Sequence, residues 1–355
     1  MKRSCGIVLL ALCLVLQSLF FVSCNKKAEE IYSAYSFEYF DTVTSIKGYA
    51  ESKEKFDVTS GELLELLEEY HRLFTIYDRY EGLENLCTVN ELNDGAHRTV
   101  KVDEKIIDML LYAKDMYYKT EGRVNIAMGS VLSIWHEYRE AGSNDPASAA
   151  LPPMSELLEA SEHTDIEKMI IDREEGTVFL SDPQMTLDVG AIAKGYAVEM
   201  AARSLEEKGI SGYVINVGGN VRTVGTKAGG EKWLAGIENP DEEAENAYLE
   251  YLELSGESLI TSGSYQRFYV VNGMPYHHII DPDTLMPSDK YTSVSVVCKS
   301  SADGDALSTA LFCMSVEEGK ALLEVFPNAE AMWLLPNGET VFSSGFEEYV
   351  ANYQK

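Results

Sequence analysis

The stretch YVINVGGNVRTVG, Tyr213 to Gly225, constrains the fold more than any other. Two runs rich in β-branched residues flank a pair of glycines and Asn220. Paired glycines admit left-handed backbone angles, so the chain can reverse and the two runs pair as antiparallel strands. Elsewhere apolar residues recur at helical spacing. Leu63, Leu66, Leu67, Tyr70, Leu73, Phe74 and Tyr77 predict a helix over 61–78. Ile106, Ile107, Leu110, Leu111 and Met116 predict a second over 103–119. A third is expected over 192–208, stopping at Gly209, and a fourth over 302–325. Strands are expected over 37–50, in a hairpin over 166–180, in several runs within 232–271, and over 292–298. GSNDPASAALPP, residues 142–153, reads as a loop. Helices and strands do not alternate strictly, so the fold class is α+β, with largely antiparallel sheets and flanking helices.

The N-terminus fixes the compartment. Lys2 and Arg3 precede an apolar run from Gly6 to Val22, and FVSC ends at Cys24 before the polar NKKAEE. This is a bacterial secretion signal, and a cysteine after the small Ser23 reads as a lipidation site. Phe21 stands where a leucine is usual. Plain cleavage and an uncleaved anchor are the alternatives; the apolar run is short for a spanning helix. The expected organisation is a signal peptide over 1–23, lipidated Cys24 with a tether to residue 35, and one domain over 36–350. The expected location is the extracytoplasmic face of the cell membrane, held by lipid.

The formal net charge is −29 over 355 residues. Such a surface repels nucleic acid and anionic lipid, which excludes nucleic-acid binding. Cys5 and Cys13 leave with the signal. Cys87, Cys298 and Cys313 are too scattered for a disulfide framework or a zinc site and read as buried free thiols.

Four stretches carry candidate chemistry. LDVGAIAKGYAVE places Asp188 at the end of a strand, Gly190 at an unusual backbone angle and Lys194 in the first turn of a helix. A helix N-terminus binds anions, and a lysine there is unfavourable without an anionic ligand; equally, Asp188 caps the helix and Lys194 is solvated. INVGGNV is either a tight turn or a close backbone approach to a flat ligand. ITSGSYQRFY with YHHIIDPDTLMPS offers Tyr265, Arg267 and the adjacent His277 and His278, of which one strand face can present only one. SADGDALSTALFCMS predicts an amphipathic helix with Ala302, Leu307, Ala310, Leu311 and Met314 as its apolar stripe. Asp305 and Thr309, four apart, share a face. Each is explained singly by helix capping or back-bonding. Together, carboxylate and hydroxyl suit Mg²⁺ bound with phosphates.

In order, DVGAIAKGYA, INVGGN, TSGSYQRF with YHHIIDP, and GDALSTAL resemble the motifs of the ApbE-type FAD:protein FMN transferases. FDTVTSIKGY, IYDRYEGLENLCTVNEL and GRVNIAMGSVLSIW are similar to that family's upstream segments, so the resemblance spans about residues 37–345. It implies an ApbE-like, T-fold-related architecture. It implies exported, often lipidated proteins that bind FAD and Mg²⁺, attach FMN to a Thr or Ser hydroxyl of an acceptor protein, and release AMP. The Ala191 carbonyl, Asp305 and Thr309 are then the metal ligands, with Asp305 also catalytic. Phe40, Tyr77, Arg123, Val124, Asn125, Asp188, Lys194 and Ile280 line the FAD site. His278, rather than His277, accepts the hydroxyl proton. The departures are Phe40-Asp41, Asn125, Ser130 and Leu285, which stand where many members have Met-Gly, Asp, Pro and Gly. The alternatives are a Mg²⁺-dependent FAD pyrophosphatase and a flavin-binding lipoprotein without turnover.

Overall fold

The computed structural model describes residues 29–241 and 243–351; Cys24, the signal and residues 25–28 of the expected tether lie outside them. In chain order the strands are β1 (Glu30–Ser36), β2 (Thr44–Ala50), β3 (Val100–Lys101), β4 (Met169–Asp172), β5 (Thr177–Leu180), β6 (Tyr213–Val217), β7 (Asn220–Val224) and β8 (Trp233–Glu238). They continue as β9 (Tyr248–Leu254), β10 (Ser258–Gly263), β11 (Phe268–Val271), β12 (Met274–His277), β13 (Ser293–Cys298), β14 (Glu330–Leu334) and β15 (Thr340–Phe342). The helices are α1 (Lys53–Phe74), α2 (Leu86–Gly95), α3 (Glu104–Lys119), α4 (Gly129–Asn144), α5 (Met154–Ser161), α6 (Ala193–Glu207), α7 (Ser301–Cys313) and α8 (Val316–Leu323).

An eight-stranded sheet in the order β1-β2-β6-β7-β10-β13-β14-β15 organises the molecule, and every pair in it is antiparallel. The expected α+β class is what the structure shows. The glycine hairpin lies at its centre: Gly218 and Gly219 take φ of +56° and +91°, and Val217 pairs with Asn220. Those angles are the ones a two-residue hairpin turn requires. The main core gathers α1, α3, α6 and α7 with the sheet, through residues such as Leu67, Leu110, Ala201 and Leu311. A second cluster, including Trp135, Leu157, Tyr269 and Ile280, joins α4 and α5 to the β11–β12 hairpin. Among the described residues no helix is long and apolar enough to cross a membrane.

Several expectations are corrected. Residues 30–35 are not tether: they pair with β2 as the edge strand β1. The strand expected over 37–50 begins only at Thr44, because Phe40 and Asp41 both take left-handed angles, φ +55° and +51°, which a strand cannot contain. The first helix begins earlier, at the Ser52 cap, whose side chain accepts from the Lys55 amide, and ends at Phe74. Helix α4 runs to Asn144, through the start of the expected loop. The helix expected over 302–325 is two helices: Ser315 and Glu318 close a reciprocal capping box that starts α8 afresh. Nor is α7 amphipathic. Of its residues only Asp303 and Thr309 escape full burial, and Asp305 and Ser308 are buried with the apolar ones.

Candidate functional site

A cleft of about 350 Å³ opens between the main core and the α4–β11–β12 lobe. Tyr77, Arg123, Val124, Asn125, Asp188, Ala191, Lys194, His278, Ile280, Asp305 and Thr309 all line it. Phe40 does not. It lines a smaller neighbouring cavity of about 130 Å³, which shares Asp41, Tyr77, Asp188, Gly190, Lys194 and Arg267 with the first. Turned left-handed, Phe40 donates its amide to His71 Nδ1 at 3.2 Å and sets its ring edge-on to that imidazole.

Asp305 and Lys194 meet at the cleft floor, from α7 and α6. Asp305 Oδ2 accepts the Gly195 amide at 2.8 Å, and Oδ1 faces Lys194 Nζ at 3.5 Å. The second contact is long for a hydrogen bond, so that oxygen keeps acceptor capacity. Thr309 lies one turn along α7. Below it, Ser308 donates to the Asp305 carbonyl and shares a hydrogen bond with Ser262, which ties α7 to β10. Asn220 Nδ2, buried in the wall, has no hydrogen-bond partner among the described residues.

Asp188 is not at the end of a strand, and it does not cap α6. It lies in an extended segment, and its Oδ1 accepts the Gly190 amide at 2.8 Å. Gly190 is absent from the left-handed region; a β-carbon there would instead press on Asp188 Oδ1 at 3.1 Å. Burial pushes the Asp188 carboxyl up, against the Gly190 amide and the nearby His136 and Arg139.

The two histidines separate cleanly. His277 is buried, with Nε2 donating to the Ser288 carbonyl at 2.7 Å and Nδ1 accepting the Ile279 amide at 3.1 Å. Both nitrogens are therefore used. His278 turns to the cleft, with Nδ1 donating to the Arg267 carbonyl at 3.3 Å. A carbonyl only accepts, so the neutral ring keeps its Nε2 lone pair. Burial, then Arg267, His277 and Arg139, push this imidazole down to about 3.

On the opposite wall Arg123 bridges Asp281 and Asp283, and Lys290 holds Asp281 from behind at 2.8 Å. Asn125 is occupied structurally: it accepts from Ala127 and donates to the Thr164 carbonyl, each at 2.9 Å. Leu285, where a glycine was the family expectation, adopts φ +58° and offers its carbonyl to Trp135 Nε1.

The sequence reading missed one cationic part of the site. His136 and Arg139 sit three apart on α4, joined at 2.8 Å, and both face the cleft with Arg267. Tyr77 rests against His136, ring centroids 5.5 Å apart. Met128, Val131, Leu132 and Trp135 at helical spacing were the signal that would have placed them. Among the described residues no three His, Cys, Asp or Glu gather as a metal cluster. The donors near Asp305 are of another kind: one carboxylate, one hydroxyl and main-chain oxygen. All are hard ligands suited to Mg²⁺.

Comparison with known proteins identifies the family. The ApbE family matches residues 40–333. An FAD:protein FMN transferase of Klebsiella pneumoniae is 31% identical over 282 residues, covering 77% of this chain and 84% of its own. One from Vibrio cholerae is 29% identical over 346 residues, covering 94% of both. Among solved structures, the ApbE protein of Thermotoga maritima superimposes with a TM-score of 0.77 at 26% identity, over 91% of this chain and all of its own. On the matched span and these relatives, the chain belongs to the ApbE family.

Proposed function

We propose that this chain is an FAD:protein FMN transferase, which with Mg²⁺ moves FMN from FAD to a Thr or Ser hydroxyl of an acceptor protein and releases AMP. The observation that carries the reading is the opening of His278 Nε2 into the same cleft as Asp305, Thr309 and Lys194. The acceptor oxygen attacks the phosphorus of the FMN half. The bond from that phosphorus to the bridging oxygen breaks, and AMP leaves with the oxygen. The hydroxyl proton passes to His278 Nε2, held in place by the Nδ1 hydrogen bond. Lys194 and the Arg139–Arg267 pair offset the charge of the pyrophosphate and orient it.

Asp305, Thr309 and the Ala191 carbonyl fit a hard divalent ion, since Asp305 is buried and keeps one oxygen only loosely engaged. Bound there, Mg²⁺ would neutralise phosphate charge and stabilise the departing AMP. The sequence further supports export and lipidation at Cys24, which places the chain on the extracytoplasmic face of the membrane. The acceptor is then an exported or membrane protein.

The test uses the chain from Asn25 onward, FAD, Mg²⁺ and a protein carrying a threonine acceptor segment. Intact mass and AMP are measured. One FMN gained by the acceptor, dependent on Mg²⁺, is the expected result. AMP and free FMN with an unmodified acceptor would instead indicate a pyrophosphatase, and unchanged bound FAD a carrier.

A further inference from the structure

The edge strand begins sooner than the sequence led one to expect. Only residues 25–29 separate Cys24 from Glu30, the first residue of β1. Fully extended, that length spans roughly 20 Å. Alternate residues of a strand point to opposite faces. Tyr32 and Ala34 pack on the main core. Ile31 and Tyr35 stand on the other face, 51% and 57% exposed, and Phe37, next in the alternation, is 75% exposed. Across the pair, Ile31 faces Tyr49, Ser33 faces Lys47, and Tyr35 faces Ser45. Val43, at the far end of the following loop, is 48% exposed. A sheet face turned to water is normally polar. Aromatic rings with aliphatic side chains and a lysine are instead what settles at a headgroup boundary.

We propose that this face, Ile31, Tyr35, Phe37 and Val43, rests on the lipid surface that holds the Cys24 anchor. The proposal rests on the lipidation reading above. A chain of net charge −29 is not drawn to a bilayer by charge, so the short anchor brings the patch there. The face borders the active site. The loop after β1 supplies Asp41 and Thr42 to the cleft wall and Phe40 to the adjoining cavity. One rim of the cleft therefore lies at the bilayer, and the acceptors that fit are membrane proteins presenting their hydroxyl close to the lipid surface.

The test couples the mature chain through Cys24 to a maleimide lipid in phosphatidylcholine vesicles. Cys87, Cys298 and Cys313 are buried, so coupling is selective. Coupling in vitro also makes the outcome independent of whether the cell lipidates Cys24. Tryptophan is introduced separately by Tyr35→Trp, Phe37→Trp, Leu158→Trp and Val325→Trp, all at exposed positions, while Trp135, Trp233 and Trp333 are buried. Brominated lipid then quenches whichever indole touches the bilayer. Quenching at positions 35 and 37 about twofold or more above that at 158 and 325 is expected for interfacial burial. Equal quenching at all four positions, stronger quenching at 158 or 325, or none at all would overturn the proposal. So would a doubled mass of the uncoupled chain that Ile31→Lys abolishes, because the edge would then belong to a second copy.

Discussion

Asp305 and Gly195 are in such close contact that a β-carbon on Gly195 would lie 2.4 Å from Asp305 Cβ. The same atom would lie 2.4 Å from the Ser301 carbonyl oxygen, so the crowding involves backbone as well as a side chain. The glycine thus lets α6 and α7 approach until the Gly195 amide reaches the Asp305 carboxylate.

Gly195→Ala should therefore act as an overpacking change at the floor of the site. It should cost about 1–3 kcal/mol of stability and reduce Mg²⁺-dependent turnover by more than the loss of folded protein explains. Thermal melting alongside AMP release per folded molecule checks this. Unchanged turnover in a folded variant would show that α6 and α7 have slack.

Asp305→Asn keeps the shape and an oxygen for Gly195 but removes the charge. FAD-dependent AMP release should fall by roughly 10²-fold or more, as expected when one electrostatic contact to developing charge is lost. The melting temperature should change little. Activity near normal at limiting Mg²⁺ would remove Asp305 from the metal site.

The paired histidines should respond in opposite ways. His277→Ala leaves the Ser288 carbonyl and the Ile279 amide without their partner, costing about 1–3 kcal/mol of stability with turnover per folded molecule largely kept. His278→Ala should slow FMN transfer while changing stability and FAD affinity less. Circular dichroism melts, a binding titration and single-turnover transfer separate the two. Equal losses at both positions would dissolve the distinction.

His278 also gives a pH prediction. Its imidazole is pushed from 6.5 down to about 3 in the folded chain. Below pH 6.5 the unfolded chain takes up a proton here that the folded chain refuses. Stability should thus fall with falling pH between about 6.5 and 3, and His278→Ala should flatten that slope. Bound pyrophosphate brings negative charge and should raise the imidazole pKa. NMR titration of the ring with and without ADP measures both. An imidazole that titrates near 6.5 without ligand would contradict the buried, cation-flanked setting.

Arg139 and Arg267 line the same cleft, and Arg267, after burial, lowers the Arg139 guanidinium, against the pull of Tyr77, Glu140 and Asp188. Arg139→Gln should weaken FAD binding about tenfold and steepen its salt dependence less than the wild type shows. It should also let His278 titrate higher. Unchanged affinity across salt concentrations would assign the pair a purely local role.

Much of this was legible in the sequence because the relevant signals are short-range. The Gly218–Gly219 turn needs only its own backbone angles, and the third expected helix is stopped by Gly209 as anticipated. Site residues drawn together by motif resemblance fell around one cleft, except Phe40. The failures lie where tertiary contact overrides local pattern. Phe40 and Asp41 look like strand residues, but the chain must turn there to meet His71 and the β6–β7 turn. Residues 30–36 carry a weak strand pattern and gain their partner only from β2. Helix α7 looked two-sided because Asp305 and Ser308 are polar, yet their partners, Gly195 and Ser262, come from distant parts of the chain. Arg139 was missed because α4 was not recognised as a helix.

The enclosure of α7 separates what this protein can alter from what it cannot. The carboxylate at the floor travels on a helix buried at all but two of its positions, so it has little room for substitution. Part of the rim above it is exposed instead, at Asp41 and Gln266, where exchanging a side chain leaves the interior untouched. A lineage could thus change which protein it serves by redrawing the entrance while the reaction beneath stays the same.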